Sequence, residues 1–158
     1  MKRTLRTMFW AIAFSIIAGL GLLAWIRLAP VDVAAWHRPL PTDDRILEGA
    51  CADAVTLITA RGGGRSSCSL SEPPQKVLAS LDAIAIATPR TIRIAGSPES
   101  GRITWETRSK LMGFPDYTTA QVSETFGMTR LDIIARQRFG SGDAGVNAAR
   151  LRDWLARF

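Results

Sequence analysis

The 19 residues from Met8 to Ile26 carry no charge, and this run constrains the chain more than any other feature. As a helix rising about 1.5 Å per residue, it nearly crosses a hydrocarbon core of about 30 Å. Trp10 and Trp25 stand near its two ends, where amphipathic rings favour the headgroup level. Lys2, Arg3 and Arg6 precede it, and Arg27 is the only charge close behind it. The positive-inside bias then expects a cytoplasmic N-terminus and a domain beyond the membrane. The expectation is a single-pass protein of a bacterial inner membrane with a periplasmic domain, its first partner being the lipid bilayer. A cleaved signal peptide is the rival reading, because Val33-Ala34-Ala35 offers small residues for cleavage. The apolar run exceeds the roughly 7–15 residues of a signal core, which favours a retained anchor. A lipoprotein signal ending at Cys51 is set aside, since Cys51 lies far beyond the apolar run.

The chain thus divides into three parts. Residues 1–28 read as a transmembrane anchor with a short cytoplasmic N-terminus, 29–50 as an extended stalk, and 51–158 as one α+β domain. About 130 residues remain after the anchor, enough for one hydrophobic core but not two. The net charge of +6 suggests nucleic acid until the charges are sorted. Lys2, Arg3, Arg6 and Arg27 belong to the anchor, and no acidic residue precedes Asp32. Residues 29–158 hold 16 Lys and Arg against 14 Asp and Glu. A domain so near neutrality lacks the basic footprint that phosphate backbones require, which excludes nucleic acid as a partner.

Within the domain, Ala54 to Thr59 is rich in β-branched residues and predicts a strand. Gly62-Gly63-Gly64 predicts a flexible turn, with Ser66 to Leu70 returning as a short strand. Ser71-Glu72-Pro73-Pro74 marks a helix start. Val77, Leu81 and Ile84 make one apolar stripe on that helix, which ends near Thr88-Pro89. Thr91 to Ala95 alternates as a strand. On the next strand Ile103, Trp105 and Thr107 point one way, while Thr104, Glu106 and Arg108 point the other. Tyr117–Phe126 and Thr129–Phe139 read as a hairpin joined at Gly127. Leu131, Ile133, Ala135 and Phe139 share one face of it; Arg130, Asp132, Arg136 and Arg138 share the opposite, polar face. Ala144, Ala148, Leu151, Leu155 and Phe158 form the stripe of a last helix. Short turns between successive strands favour antiparallel pairing. The expected architecture is α+β: an antiparallel sheet of five or six strands with two helices on its apolar face, preceded by one N-terminal transmembrane helix.

Several separated pieces follow a familiar order. They are Trp36-His37 with Pro39; Pro89-Arg90-Thr91; Arg108-Ser109-Lys110-Leu111-Met112-Gly113-Phe114 with Asp116; and Arg138 to Asn147 with Arg150. The last reads R-x-G-x-x-D-x-G-x-N-x-x-R and is the most specific. Together they resemble the domain-of-unknown-function family 1499, over residues 28–158. Two departures stand out: Gln137 replaces the serine usual before the position of Arg138, and Tyr117 replaces a second acidic residue usual after Asp116. The resemblance implies a domain identity and, since bacterial members often carry a membrane segment, a location. It implies no activity, because none is established for that family.

The residues themselves offer little catalysis. His37 is the sole histidine, and no G-x-S-x-G elbow, P-loop or dinucleotide fingerprint occurs. The acidic pairs Asp43-Asp44 and Glu48 with Asp53 fall in predicted loops and read as solvated, so no metal and no cofactor is implied. One constellation remains. Asp143, Asn147 and Arg150 are spaced to share a helix face, and Arg136 and Arg138 lie on the strand before it. The functional reading is an anion site built from helix N–H groups and arginines. The structural reading makes Asp143 a helix cap paired with Arg138 or Arg136. Cys51 and Cys68, in an oxidising compartment, are expected to form a disulfide. Three function classes follow: a non-enzymatic envelope protein serving as an accessory subunit of a larger membrane complex; a binding module for a small anion or lipid headgroup; and, least favoured by the thin acid–base inventory, a hydrolase or transferase.

Overall fold

The computed structural model describes residues 2–41, 51–59 and 62–158. Asp43, Asp44 and Glu48 lie outside them. Helix α1 (Lys2–Leu28) is continuous, and Arg3–Leu28 is long and apolar enough to cross a membrane. Its C-terminal end meets the domain. Trp25 packs edge-on against Phe139 at 5.5 Å, and Arg27 donates to the backbone carbonyls of Leu111 and Met112 at 3.0 and 3.3 Å.

The domain is built on a fully antiparallel six-stranded sheet. Its strands are β1 (Thr56–Leu57), β2 (Gly63–Leu70), β3 (Thr91–Ser97), β4 (Arg102–Arg108), β5 (Pro115–Thr125) and β6 (Met128–Gln137), in the order β1-β2-β6-β5-β4-β3. Helices α3 (Pro74–Ala87) and α4 (Val146–Ala156) cover one face, after the short α2 (Val33–Trp36) earlier in the chain. Alternation explains the two faces. Ile103, Trp105, Leu131 and Ile133 turn toward the helices and are almost wholly buried with Leu78, Leu81 and Leu151. Trp105 and Trp154 meet edge to face at 5.7 Å. Each buried indole has its N–H satisfied, on Asp82 at 2.7 Å and Thr88 at 2.9 Å respectively. The expected α+β architecture is the one observed.

Details differ from expectation for local reasons. Only Thr56–Leu57 of the predicted 54–59 strand pairs, because it is an edge whose preceding residues turn back at the Cys51–Cys68 disulfide. Those cysteines have Cα atoms 5.3 Å apart. Closing such a loop stabilises by about 3 kcal/mol in the chain-entropy view. The glycine run is not a flexible turn. Gly63 and Gly64 are strand residues, and a Cβ on Gly64 would lie 2.7 Å from the Ala148 Cα. Gly64 lets the first turn of α4 settle onto β2, and Gly63 lies against the Ala135 carbonyl of β6. That helix begins at Val146, with Ala144 before it at φ 50°. Phe158, placed on its apolar stripe by spacing, is 38% exposed, and Trp154 is the large side chain buried instead. Phe139 follows the end of β6 and packs on Trp25 and Phe114 rather than with Leu131 and Ile133.

The polar face is covered as well. Residues 29–41 cross it as a strap, interrupted by α2, whose Asp32 cap accepts from the Ala35 N–H at 3.2 Å. Trp36 stacks on Tyr117 at 4.2 Å. His37 Nδ1 lies 2.9 Å from the Thr104 hydroxyl, and the Leu40 N–H donates to Gln121 at 3.2 Å.

Candidate functional site

The α1 end of the sheet gathers the residues with chemical potential. Here β4 ends at Arg108 and β5 begins at Pro115, so the intervening residues 109–114 form a tight loop. Ser109 closes it, its N–H donating to the Phe114 carbonyl at 2.9 Å and its hydroxyl accepting from the Phe114 N–H at 3.0 Å. Gly113 supplies the left-handed turn at φ 72°. Beside the loop, the start of α4 is fixed by Asp143. Its carboxylate accepts from the backbone N–H groups of Gly145 at 3.1 Å and Asn147 at 2.9 Å. Partial burial opposes ionisation of Asp143, but those N–H donors hold its carboxyl below the usual range. Asp143 thus ties down the helix start without Arg136 or Arg138, the partners the spacing had suggested.

Those two arginines lie on the strap side of the sheet. Arg136 donates to the Trp36 carbonyl at 2.9 Å and the Thr119 hydroxyl at 3.0 Å, with its guanidinium 5.2 Å from the centre of the Trp36 ring. Arg138 donates to the Pro30 carbonyl at 2.9 Å and reaches the Tyr117 hydroxyl at 3.4 Å. The five residues singled out by spacing therefore separate. Arg136 and Arg138 fasten the strap, while Asp143, Asn147 and Arg150 cluster at the helix start.

Arg150 is the centre of that cluster. It donates to Asn147 Oδ1 at 2.6 Å and to Asp116 Oδ2 at 3.1 Å, and its side chain is only 9% exposed. Burial pushes the Asp116 carboxyl up to about 6, against the pull of Arg150. Desolvation outweighs the pull of Arg150 and Asn147, and the nearby Asp143 charge adds to it. Arg150 Nη1 is buried and meets no acceptor among the described residues.

Arg150 and Asp116 also line a cleft of about 540 Å³. Its wall includes Arg90, Arg108, Lys110, Leu111, Met112 and Val146. A second cavity of about 490 Å³ shares Arg90, Arg108, Ser109 and Lys110 and extends to Arg27 and Gly113. Arg108 is committed to structure, its Nε on Glu106 at 2.6 Å and its Nη1 on the carbonyls of Arg27 and Gly113. Arg90 uses Nε on the Arg108 carbonyl at 3.0 Å. Its terminal nitrogens and the Lys110 ammonium make no hydrogen bond or ion pair among the described residues. Three cationic side chains with donor capacity thus line one cleft. This arrangement suits recognition of an anion. Among the described residues no group of three His, Cys, Asp or Glu side chains could hold a metal. His37 sits across the sheet, on the strap itself, where burial and Arg102 lower its basicity.

Sequence reasoning missed Arg90, Lys110 and Asp116 as a site. They stand in separate short motifs, Pro89-Arg90-Thr91, Arg108–Phe114 and Asp116, and only the fold brings these to the Arg150 cluster. The signal was that each motif leads into or out of a strand, at the same end of an antiparallel sheet.

No curated protein matches the chain. Among solved structures, protein Ms6760 from Mycobacterium smegmatis aligns over 65% of this chain and 84% of its own, at 9% identity and a TM-score of 0.29. That likeness is too slight to carry an argument. The family described as Protein of unknown function (DUF1499) matches over residues 58–158, which span β2 to α4 and every residue of the Arg90–Lys110–Arg150 cleft, and the chain belongs to it.

Proposed function

We propose that this chain is a membrane-anchored envelope protein whose domain binds an anionic group, a phosphate or a carboxylate, in the cleft between Arg90, Lys110 and Arg150. The observation that carries the reading is the buried guanidinium of Arg150, with one nitrogen lacking an acceptor among the described residues, in the wall of a cleft that Arg90 and Lys110 also line. A buried donor left without a partner costs about 1–3 kcal/mol, so an anionic ligand there gains more than it would on a solvated surface. The apolar helix α1 supports anchoring, and the charges before it support an outward-facing domain. The cleft lies at the end of the sheet nearest the anchor, so a lipid headgroup and a soluble anion both have access to it.

The test is calorimetric titration of the full chain in mild detergent with inorganic phosphate, and separately with a short-chain phosphatidylglycerol. Saturable binding is expected for at least one probe. The double variant Arg90→Ala, Lys110→Ala removes two exposed cations without touching the core. It should bind about tenfold or more weakly, the equivalent of losing one charge-assisted hydrogen bond, with an unchanged melting temperature. Binding of phosphatidylglycerol alone would identify the bilayer as the source. Absence of saturable binding for both probes, or equal affinity in the double variant, would remove the reading.

A further inference from the structure

We infer that the loop from Ser109 to Phe114 is seated in the lipid headgroup layer beside α1, with Leu111 and Met112 inserted at its base and Lys110 set against anionic headgroups. This rests on the anchored part of the preceding proposal; Lys110, Leu111 and Met112 also line the anion cleft, but the inference needs no anion bound there.

Depth is the first argument. The uncharged run of α1 ends at Ile26, so Arg27 marks the hydrocarbon boundary. Arg27 donates through Nη2 to the Leu111 carbonyl at 3.0 Å and through Nε to the Met112 carbonyl at 3.3 Å. Arg108 returns a bond to the Arg27 carbonyl at 3.1 Å. The loop is therefore fastened to the boundary residue itself, within the reach of one arginine side chain. The polar layer on each side of the hydrocarbon is about 5–7 Å thick, so the loop falls within it.

Chemistry is the second. Leu111 is 82% exposed and Met112 44% exposed. A single exposed leucine is ordinary on a protein surface. Here two adjacent apolar side chains follow Lys110 at the level of a bilayer interface, a basic and apolar pairing that suits an anionic lipid surface. Trp25, a ring type favoured at headgroup depth, packs on Phe139 and through it on Phe114, with centroids 5.5 and 6.4 Å apart.

Preorganisation is the third. The bonds between Ser109 and Phe114 and the turn at Gly113 set the loop's shape without any lipid, so little ordering entropy opposes seating. The molecule also supplies its own control. Phe126, at the β5–β6 turn, is fully exposed and apolar but lies at the opposite end of the sheet. Apolarity alone would seat both; the geometry seats only Leu111.

The experiment uses the full chain reconstituted in vesicles of phosphatidylcholine with a minority of phosphatidylglycerol. Leu111→Cys and Phe126→Cys variants each carry one environment-sensitive dye, and lipids spin-labelled near the headgroup or at mid-chain act as quenchers. The expected result is blue-shifted emission from the Leu111 probe, quenched more by the shallow label than by the deep one, with an aqueous spectrum from the Phe126 probe. Protein that floats with the vesicles while its Leu111 probe stays as aqueous as the Phe126 probe overturns the inference and leaves the anchor standing. A shielded Leu111 probe that neither lipid label quenches means that protein, a second copy or another chain, covers the loop, and this also overturns it. Protein that fails to float overturns the anchored reading and the inference together, whatever the outcome of the anion titration.

Discussion

On one side of the sheet Ile103, Trp105, Ala120, Leu131 and Ile133 meet two helices; on the other Thr104, Glu106, Tyr117, Thr119 and Asp132 meet a strap of irregular chain. Burial is comparable, with Trp105 and Tyr117 both fully enclosed. The chemistry holding them is not. The helix face relies on apolar area, which is non-directional and scales with what is removed from water. The strap face relies on placed partners. Glu106, 2% exposed, accepts from Arg108 at 2.6 Å and from the Tyr117 hydroxyl at 3.2 Å. Arg130 clamps Asp132, which also takes the Ser67 hydroxyl. Helices with apolar stripes suit the first face. The second needs a cover offering free carbonyls and an aromatic ring, and the Pro30 and Trp36 carbonyls with the Trp36 indole provide them. One pattern of alternation thus gives two interiors that respond differently to damage.

The largest expected effect is on the helix face. Trp105→Ala should destabilise by about 3–5 kcal/mol in urea unfolding, from lost burial and the cavity left behind. A loss under about 1 kcal/mol would mean that α3 and α4 are not the principal interior. Next is the strap. Trp36→Ala removes the stack on Tyr117 and the ring under Arg136, and should cost about 2–3 kcal/mol. Because the strap packs as one layer, the expected signature is local opening. Protease should cut within residues 29–41 under conditions where β4–β6 stay intact. Simultaneous loss of strap and sheet would erase the distinction between the faces.

The smallest effect sharpens the comparison, since Asp116 is an ionisable group on the helix side. Its carboxyl is raised from 3.8 to about 6 by burial, so the folded state favours the protonated form. That contribution is complete below about pH 3.8 and disappears as pH rises through about 6. Asp116→Asn should remove it. Wild-type stability relative to the variant should fall by about 1–2 kcal/mol across that window, after allowance for partial exposure. Parallel stability curves for the two proteins from pH 4 to 7 would contradict the assignment.

Much of the architecture could be read from periodicity. Alternation through Ile103-Thr104-Trp105-Glu106 and Leu131-Asp132-Ile133 assigned side chains to the correct faces, because strand geometry leaves no other choice. The stripe Val77, Leu81 and Ala148, Leu151, Leu155 did the same for the helices. The failures share one cause: a local pattern cannot reveal what approaches from elsewhere. Gly62-Gly63-Gly64 looked like slack chain because the groups that crowd them, Asp143, Ala135 on β6 and Ala148 on α4, lie far along the sequence. Arg136 and Arg138 looked like neighbours of Arg150, yet the sheet stands between them, and their partners are the Trp36 and Pro30 carbonyls. The cleft combines Arg90, Lys110, Asp116 and Arg150 from four separate places, and only the antiparallel order brings those places to one edge.

The strap also determines how the domain bears load. A pull on α1 is passed to the folded body in two ways: directly, where Arg27 grips the 109–114 loop, and along residues 29–41, where Pro30, Trp36, His37 and Leu40 are fastened in succession to Arg138, Arg136, Thr104 and Gln121. Those fastenings reach three different strands, β4, β5 and β6 or its immediate continuation. Tension therefore enters the sheet spread over several bonds on three strands, instead of at one edge strand. The covering layer of the polar face thus doubles as a coupling that spreads a pull on α1 over the sheet before it reaches the cleft.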